Sequence, residues 1–342
     1  MRPTTKDLAR EAGVSLATVD RVLNGRSGVR QATVDAVNEA IEKLGFARNI
    51  AAANLARRRT YRFQFLLPRD GGEFLDTVVA RIDEARGAFL PEFVDISYRR
   101  VIGRDPHQTA RLLAEIGPEH LDGVALMALE SPQVRDAGER LRERGVQLVE
   151  FVSGQAGERP LNFVGVNNRA AGATAGRLMG RFCGAGMGEL LLITDSMNAH
   201  DSLERRLGFD SVITRDFAGL TALPSLETHG DGERARLIVR NAYRNHPRII
   251  GAYVASSEAR QALEAIAEVS DPASQVLIAH ERTAFSEELL RGGQLDAVIA
   301  QNPGHLVRSA IRLLRARCDN REPIASQEEI RIEILIRENL GS

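Results

Sequence analysis

Cysteine is scarce in this chain. Only Cys183 and Cys318 occur in 342 residues, and neither stands in a metal-binding or redox spacing. No metal site and no cofactor is expected, and both thiols read most simply as buried groups in a reducing compartment. No apolar run is long enough to cross a bilayer. The opening MRPTTKDLAR has no apolar signal core. The expected location is therefore the cytoplasm, with no membrane partner. Net charge is also nearly absent, at −1 overall.

That small net charge conceals an uneven distribution. Residues 1–60 hold eleven Lys/Arg and six acids, or +5, so the remaining chain carries −6. A basic head on an acidic body suits contact with phosphate. The length allows two or three domains with ample core.

The head is organised around TKDLAREAGVSLATVDRVLN, residues 5–24. Leu8, Ala9 and Ala12 give a short first helix, from about Lys6 to Glu11, its inner face. Gly13 takes the turn, and Ser15 precedes a second periodic run as an N-cap residue should. Val14, Val19, Val22 and Leu23 can pack back, which leaves Leu16, Ala17 and Arg21 outward. This is a helix-turn-helix with a base-reading surface on its second helix. Leu16 and Ala17 suit thymine methyl groups, and Arg21 suits guanine. After a loop at 25–28, Val34, Val37, Ile41 and Leu44 form one stripe of a third helix closed by Gly45. Arg26, Arg30, Gln31 and Thr33 near its start suit phosphate oxygens. The basic, Ala-rich FARNIAAANLARRRT that follows has little to bury. It reads as a linker that folds only on a surface, with Leu55 as a candidate wedge between base steps.

Residues 5–24 resemble the DNA-binding signature of the lactose-repressor (LacI) family, with Asp7, Leu8, Ala9, Ala12, Gly13, Val14, Ser15, Thr18, Val19, Arg21, Val22, Leu23 and Asn24 on its pattern. Residues 46–55 are similar to the family's hinge helix, with Asn49, Ala52 and Leu55 in register. The resemblance implies DNA contacts by Thr5, Ser15, Leu16, Ala17, Thr18, Arg21, Asn24, Arg30, Thr33, Asn49, Ala52 and Leu55, on a palindromic operator. Three positions depart from the pattern: Asp20 for Ser, Arg48 for Pro and Ala53 for Arg.

From Tyr61 strand-like and helical segments alternate, beginning YRFQFLLP, then a helix carrying Phe74, Val78, Ile82 and Ala85, then FVDISYRRV. Such alternation implies an α/β body of doubly wound parallel sheets, read here as two consecutive units with ligands at the strand carboxyl ends. The segments NFVGVNN and ALPSLETHG read as strands, and the terminal EEIRIEILIREN as a half-buried strand with Ile330, Ile332, Ile334 and Ile336 on one face. The element order resembles the periplasmic-binding-protein type I fold on its ribose-binding side. Domains are expected at 1–46 (helix-turn-helix), 47–60 (hinge) and 61–342 (two-lobed ligand-binding and dimerisation body). The resemblance implies a homodimer and a small sugar or polyol effector.

Strand ends offer Asp70, Phe74, Asn168, Arg169, Asp195, Arg205, Ser257, Glu258, His280 and Gln301 as ligand groups, with Glu281 beside His280. Phe74 suits stacking on a sugar face, and the polar groups suit paired hydroxyls. Arg205, three residues before Gly208-Phe209, falls on the family's sugar-contacting arginine. Glu258 and its neighbouring serines replace the family's more common Asn-Asp pair. An oxidoreductase is the main rival from another class. Its best feature, Gly184-Ala185-Gly186-Met187-Gly188, precedes a strand instead of following one, and so reads as a helix C-cap and turn. Nothing pairs His200, or His280 with Glu281, to a nucleophile or ligand set, so no enzyme is expected. A transport solute-binding protein would share the fold but not the basic head. An activator is indistinguishable from a repressor at this level.

Overall fold

The computed structural model describes residues 3–23, 28–44, 60–154, 162–184 and 186–341. Contacts divide the chain into two units, Met1–Arg59 and Thr60–Ser342. The candidate hinge, with Asn49, Ala52 and Leu55, lies outside the described residues, as does Asn24.

The first unit packs α1 (Thr5–Glu11), α2 (Leu16–Leu23) and α3 (Gln31–Leu44). Thr4 and Asp7 form a reciprocal capping box, which satisfies two amides that the first turn would leave open. Gly13 sits at φ +66°, in the left-handed region where a Cβ is disfavoured. Leu8, Val19, Val37 and Ala40 are buried at the centre, with Ala9, Ala12, Val14, Val22, Leu23, Ile41 and Leu44 around them. One stripe from each helix therefore builds one small core.

The second unit has two lobes. The first-lobe sheet runs β2–β1–β3–β4–β5, all parallel. Its strands are β1 (Tyr61–Pro68), β2 (Val94–Ile102), β3 (Gly123–Leu126), β4 (Gln147–Phe151) and β5 (Phe163–Val164). Both faces are covered. Tyr61, Phe63 and Phe65 of β1 pack with α4 (Glu73–Phe89), whereas Leu66 points to the face closed by α5 (Pro106–Ala114) and α6 (Pro132–Glu143). Alternate residues of one strand thus feed two cores, as a buried parallel sheet requires.

The second sheet includes β6 (Gly188–Thr194), β7 (Leu220–Ala222), β8 (Leu226–Glu227), β9 (Ile249–Val254), β10 (Val276–His280), β11 (Ala297–Ala300) and β12 (Glu333–Leu335). Its order is β12–β11–β10–β9–β6–β7, with β8 also on β6 and only β12 antiparallel. Helices α7 (Asn168–Phe182), α8 (His200–Asp216), α9 (Gly232–Asn245), α10 (Arg260–Ala267) and α11 (Ala284–Arg291) belong to this lobe.

The lobes are not two consecutive units, which corrects the sequence reading. Helix α12 (Pro303–Cys318) returns to the first lobe, where Leu306, Val307, Ala310, Ile311, Leu313 and Leu314 complete the core beside Phe63 and Phe65. The chain then turns through α13 (Ala325–Glu328) and crosses back to pair β12 with β11. A stripe of apolar residues shows that a helix is covered but not which sheet covers it.

Three local expectations also change. ALPSLETHG divides into β7 and β8, and NFVGVNN contributes only two strand residues before Asn167 caps α7. The terminal strand is three residues long, with Leu335 inward and Ile334 outward, so the isoleucines do not share one buried face. Cys183 and Cys318 are half-buried free thiols, not fully buried ones. Gly184, at φ +66°, follows the end of α7 and leads into β6, the cap-and-turn arrangement expected there. Among the described residues no helix is long and apolar enough to cross a membrane.

Candidate functional sites

On the first unit, Leu16, Ala17 and Arg21 are exposed on α2, while Val19 between them is fully buried. Leu16 is 47% exposed, although a core lies one helix face away. Ser15 Oγ accepts from the Thr18 amide at 3.1 Å and lies 2.9 Å from Thr18 Oγ1. This fixes the start of the helix that carries the outward residues. Thr5 and Arg30 are exposed and Thr33 is half-buried. Arg10 pairs with Asp7 within α1 at 3.6 Å, whereas Lys43 pairs with Glu11 and so ties α3 to α1.

In the second unit, strand carboxyl ends from both lobes face each other across a cleft. Contacts bridge it in three places. Glu73, the first residue of α4, pairs with Arg260 and accepts from the Phe285 amide at 3.1 Å. Arg104 donates to the His229 carbonyl at 2.6 Å. His200 Nδ1 lies 3.5 Å from Glu130. Arg260 also stacks over Phe285 at 4.0 Å. Burial alone would raise the Glu73 carboxyl, but Arg260 and the Phe285 amide outweigh it and hold the pKa below the ordinary range. Val152, His229 and Glu281 adopt positive φ of 64°, 53° and 65° just after β4, β8 and β10. Three non-glycine residues in this costly region gather at strand tips, where functional sites store backbone strain.

The floor of the second lobe is a buried polar network. Arg205 projects from α8 and is only 3% exposed. Its Nε donates to Asn168 Oδ1 at 2.8 Å and its Nη1 to the Ala255 carbonyl at 2.7 Å. Its Nη2 lies 3.9 Å from Glu281 Oε1. Gln301 Nε2 donates to that same Oε1 at 2.9 Å, and Gln301 Oε1 accepts from the Val166 amide at 3.3 Å. Glu281 Oε2 is buried with no hydrogen-bond partner. Such an orphan oxygen calls for a donor from outside the chain. Burial pushes the Glu281 carboxyl up to about 7, against the pull of Arg205 and of the Gln301 hydrogen bond.

The approach of α7 and α8 makes this geometry possible. A Cβ on Gly172 would lie 1.9 Å from the Arg205 carbonyl oxygen, and one on Gly208 would lie 1.9 Å from that of Arg169. These two glycines let backbone touch backbone, which brings Asn168 and Arg205 within one hydrogen bond.

The structure gathers Asn168, Arg205 and Gln301 into this network, and Glu258 and Asp195 stand nearby on the cleft. Thr228 Oγ1 donates to Asp195 at 3.0 Å, and the Glu258 amide donates to Ser256 Oγ at 3.2 Å. Ser257 is half-buried, whereas Asp70 and Arg169 are exposed at strand and helix ends. Two candidates do not belong. Phe74 is buried in the first-lobe core with Val78, Ile82 and Ala85, because the helical period that links these four turns them all inward. His280 is the last residue of β10 and points into the second-lobe core, 2.5 Å from Tyr253 Oη. Burial, reinforced by Arg205, holds its pKa well below the ordinary value, so the ring is neutral. Its neighbour Glu281, equally buried, joins the Arg205–Gln301 network instead. Glu73 and Arg260 were not singled out from the sequence: 187 residues separate them, and no local pattern joins them.

Glu281 gives a pH-dependent prediction. Its folded pKa is about 7, raised from an ordinary 4.5. Between those values the folded chain holds a proton that the unfolded chain has released, so this group's contribution to stability falls as pH rises. Glu281→Gln removes that loss. The stability of the variant relative to the parent should rise by about 3 kcal/mol from pH 4.5 to 7 and then level off. Urea unfolding at several pH values checks this, and a flat difference would contradict the assignment.

The fold and cleft define a two-lobed periplasmic-binding-protein-like body that follows a three-helix head in the sequence. A family model described as periplasmic binding protein domain matches residues 65–322, and one described as bacterial regulatory proteins, lacI family, matches residues 4–49. The body belongs to the periplasmic binding protein domain family, and the head carries a lacI-family regulatory domain. The chain is similar to the HTH-type transcriptional regulator CelR of Thermobifida fusca, at 29% identity over 67% of this chain and 66% of CelR. Similarity to RegA of Clostridium saccharobutylicum is 39% over 26% of this chain and 27% of RegA. The matched stretches thus span less than two thirds of these relatives. Among solved structures, the glucose-galactose binding protein GanP of Geobacillus stearothermophilus superposes with a TM-score of 0.72 at 16% identity, covering 83% of this chain and all of GanP. A solute binding protein of Burkholderia graminis in complex with D-arabinose gives 0.70 at 19%, covering 82% and 97%. These two likenesses establish the fold.

Proposed function

We propose that the protein is a sequence-specific DNA-binding transcriptional repressor whose operator affinity is set by a small sugar or polyol in the cleft. The observation that carries the effector reading is the buried Arg205–Glu281–Gln301 network with its unpartnered Glu281 oxygen. A hydroxyl there would donate to Glu281. The relatives, transcriptional regulators in sequence and sugar-binding proteins in fold, support the combination. Two subunits would present two heads to a palindrome, with residues 47–60 as the hinge between head and body. The protein would act in the cytoplasm and perform no catalysis. Ligand and operator would alter each other's affinity by one common factor.

Selection of sites from random duplex DNA at fixed, near-physiological salt tests the DNA half. Salt must be held constant because phosphate contacts are salt-sensitive and blind to sequence. A palindrome is expected, and recovery of no consensus either alone or with a sugar and polyol panel would contradict the proposal. On the selected site, Arg21→Ala should cost about 1–3 kcal/mol and relax preference at one position of each half-site. Equal loss on selected and random DNA would assign Arg21 to phosphate contact.

A further inference from the structure

The cleft is already rich in anions supplied by the chain itself. Its two central arginines are both engaged by carboxylates, Arg205 by Glu281 and Arg260 by Glu73. Asp195 and Glu258 are additional. The rim adds Arg69, Arg104 and Arg169 against Asp70, Glu130 and Asp201, so it does not reverse the balance.

Two helix starts that would draw an anionic ligand are occupied in the same way. Helix α4 runs for 17 residues, and its N-cap, Gly72, offers no side-chain cap. Such an end attracts negative charge. Glu258 reaches it from the opposite lobe: its Oε2 stands 1.2 Å from where a Cβ on Gly72 would be. Glu73 and Asp76 fill the first turn. At α8, whose N-cap Ala199 also provides no side-chain bond, the first-turn acid is Asp201. Burial raises the Glu258 carboxyl above its ordinary range, and Glu73 and Asp195 raise it further, while the Arg260 amide and side chain pull it down. A further negative group would add to that crowding. The buried Glu281 oxygen separately calls for a donor.

We infer that the cleft takes a donor-rich ligand with no anionic group, and that Glu258 is the residue that rejects phosphorylated and acidic sugars. This rests on the cleft being the effector site. The donors are hydroxyls or an ammonium, and the test separates them. One further unit charge about 6 Å from Glu258 at an effective dielectric near 20 corresponds to a penalty of about a hundredfold in affinity, reduced by screening to roughly ten- to a hundredfold.

The experiment is isothermal titration of the full-length protein at pH 7.5 with matched sets built on glucose, ribose and myo-inositol, each as the parent compound and in its available amino, phosphate and carboxylate forms. Binding is expected for parent or amino compounds, and the phosphate or carboxylate counterpart should bind at least tenfold more weakly. In Glu258→Gln the affinity ratio between a parent compound and its phosphate should fall about tenfold. Asp195→Asn should lower the same ratio and serves as the second variant if the first folds poorly. An anionic member that binds tightest and is displaced by an uncharged one would leave the cleft reading standing and overturn the charge selection. An unchanged ratio in both folded variants would overturn the role of Glu258. Absence of binding by every member would remove the cleft reading, and this inference with it.

Discussion

Arg205→Ala is expected to destabilise the body by about 3–5 kcal/mol at pH 8, because it strands Glu281 in the core without its cation. The side chain also leaves Asn168 Oδ1 and the Ala255 carbonyl without their donors. Domains of this kind are stable by only about 5–15 kcal/mol, so the variant should fold with a much reduced margin. The loss should shrink at pH 5, where Glu281, with its pKa of about 7, is protonated in the folded chain and needs no cation. Arg205→Lys keeps the charge but not the planar fork, and should recover part of the loss. Ligand binding should disappear in the alanine variant under conditions where it remains folded. Denaturant midpoints at the two pH values, followed by titration with a ligand of the parent protein, would check each part. A loss equal at both pH values would mean that Glu281 is not the partner that matters.

Gly172→Ala should have the second large effect, and it runs against helix propensity. A glycine-to-alanine change inside a helix ordinarily gains about 0.5–1 kcal/mol. Here the new methyl would meet the Arg205 carbonyl oxygen at 1.9 Å and its carbon at 2.6 Å. Neither atom can rotate away, so α7 and α8 must separate. Overpacking of this kind costs about 1–3 kcal/mol and occasionally more. The separation would also stretch the Asn168–Arg205 hydrogen bond, so ligand affinity should fall by more than the stability loss explains. Gly87→Ala is the control. That glycine lies in α4 with nothing within 4 Å of the new Cβ, and the change should stabilise slightly. If both substitutions stabilise, close contact of the two helices is not what Gly172 provides.

The head could be read from the sequence because its determinants are local. Gly13, Ser15 and the spacing of Leu8, Val19 and Val37 lie within one short segment and point to one packing solution. In the body, the alternation of strands and helices was equally local, and Arg205 was found through its position before Gly208-Phe209. The errors arose where a side chain's direction depends on strand register or on distant chain. His280 and Glu281 are adjacent at the end of β10, and only the register of the sheet decides which of them joins the Arg205 network. Phe74 was misplaced although its spacing with Val78 and Ile82 already marked an inward face. The Glu73–Arg260 bridge, which spans 187 residues of sequence, and the return of α12 to the first lobe join distant segments, and composition carries no trace of either.

The central claim is that cleft and operator are thermodynamically linked. Its most direct measurement is a reciprocal pair of titrations at one salt concentration: operator affinity with and without saturating ligand, and ligand affinity with and without saturating operator. The account predicts a change of about 5- to 150-fold in each, equal within error. An unchanged operator affinity while the cleft is occupied would contradict it.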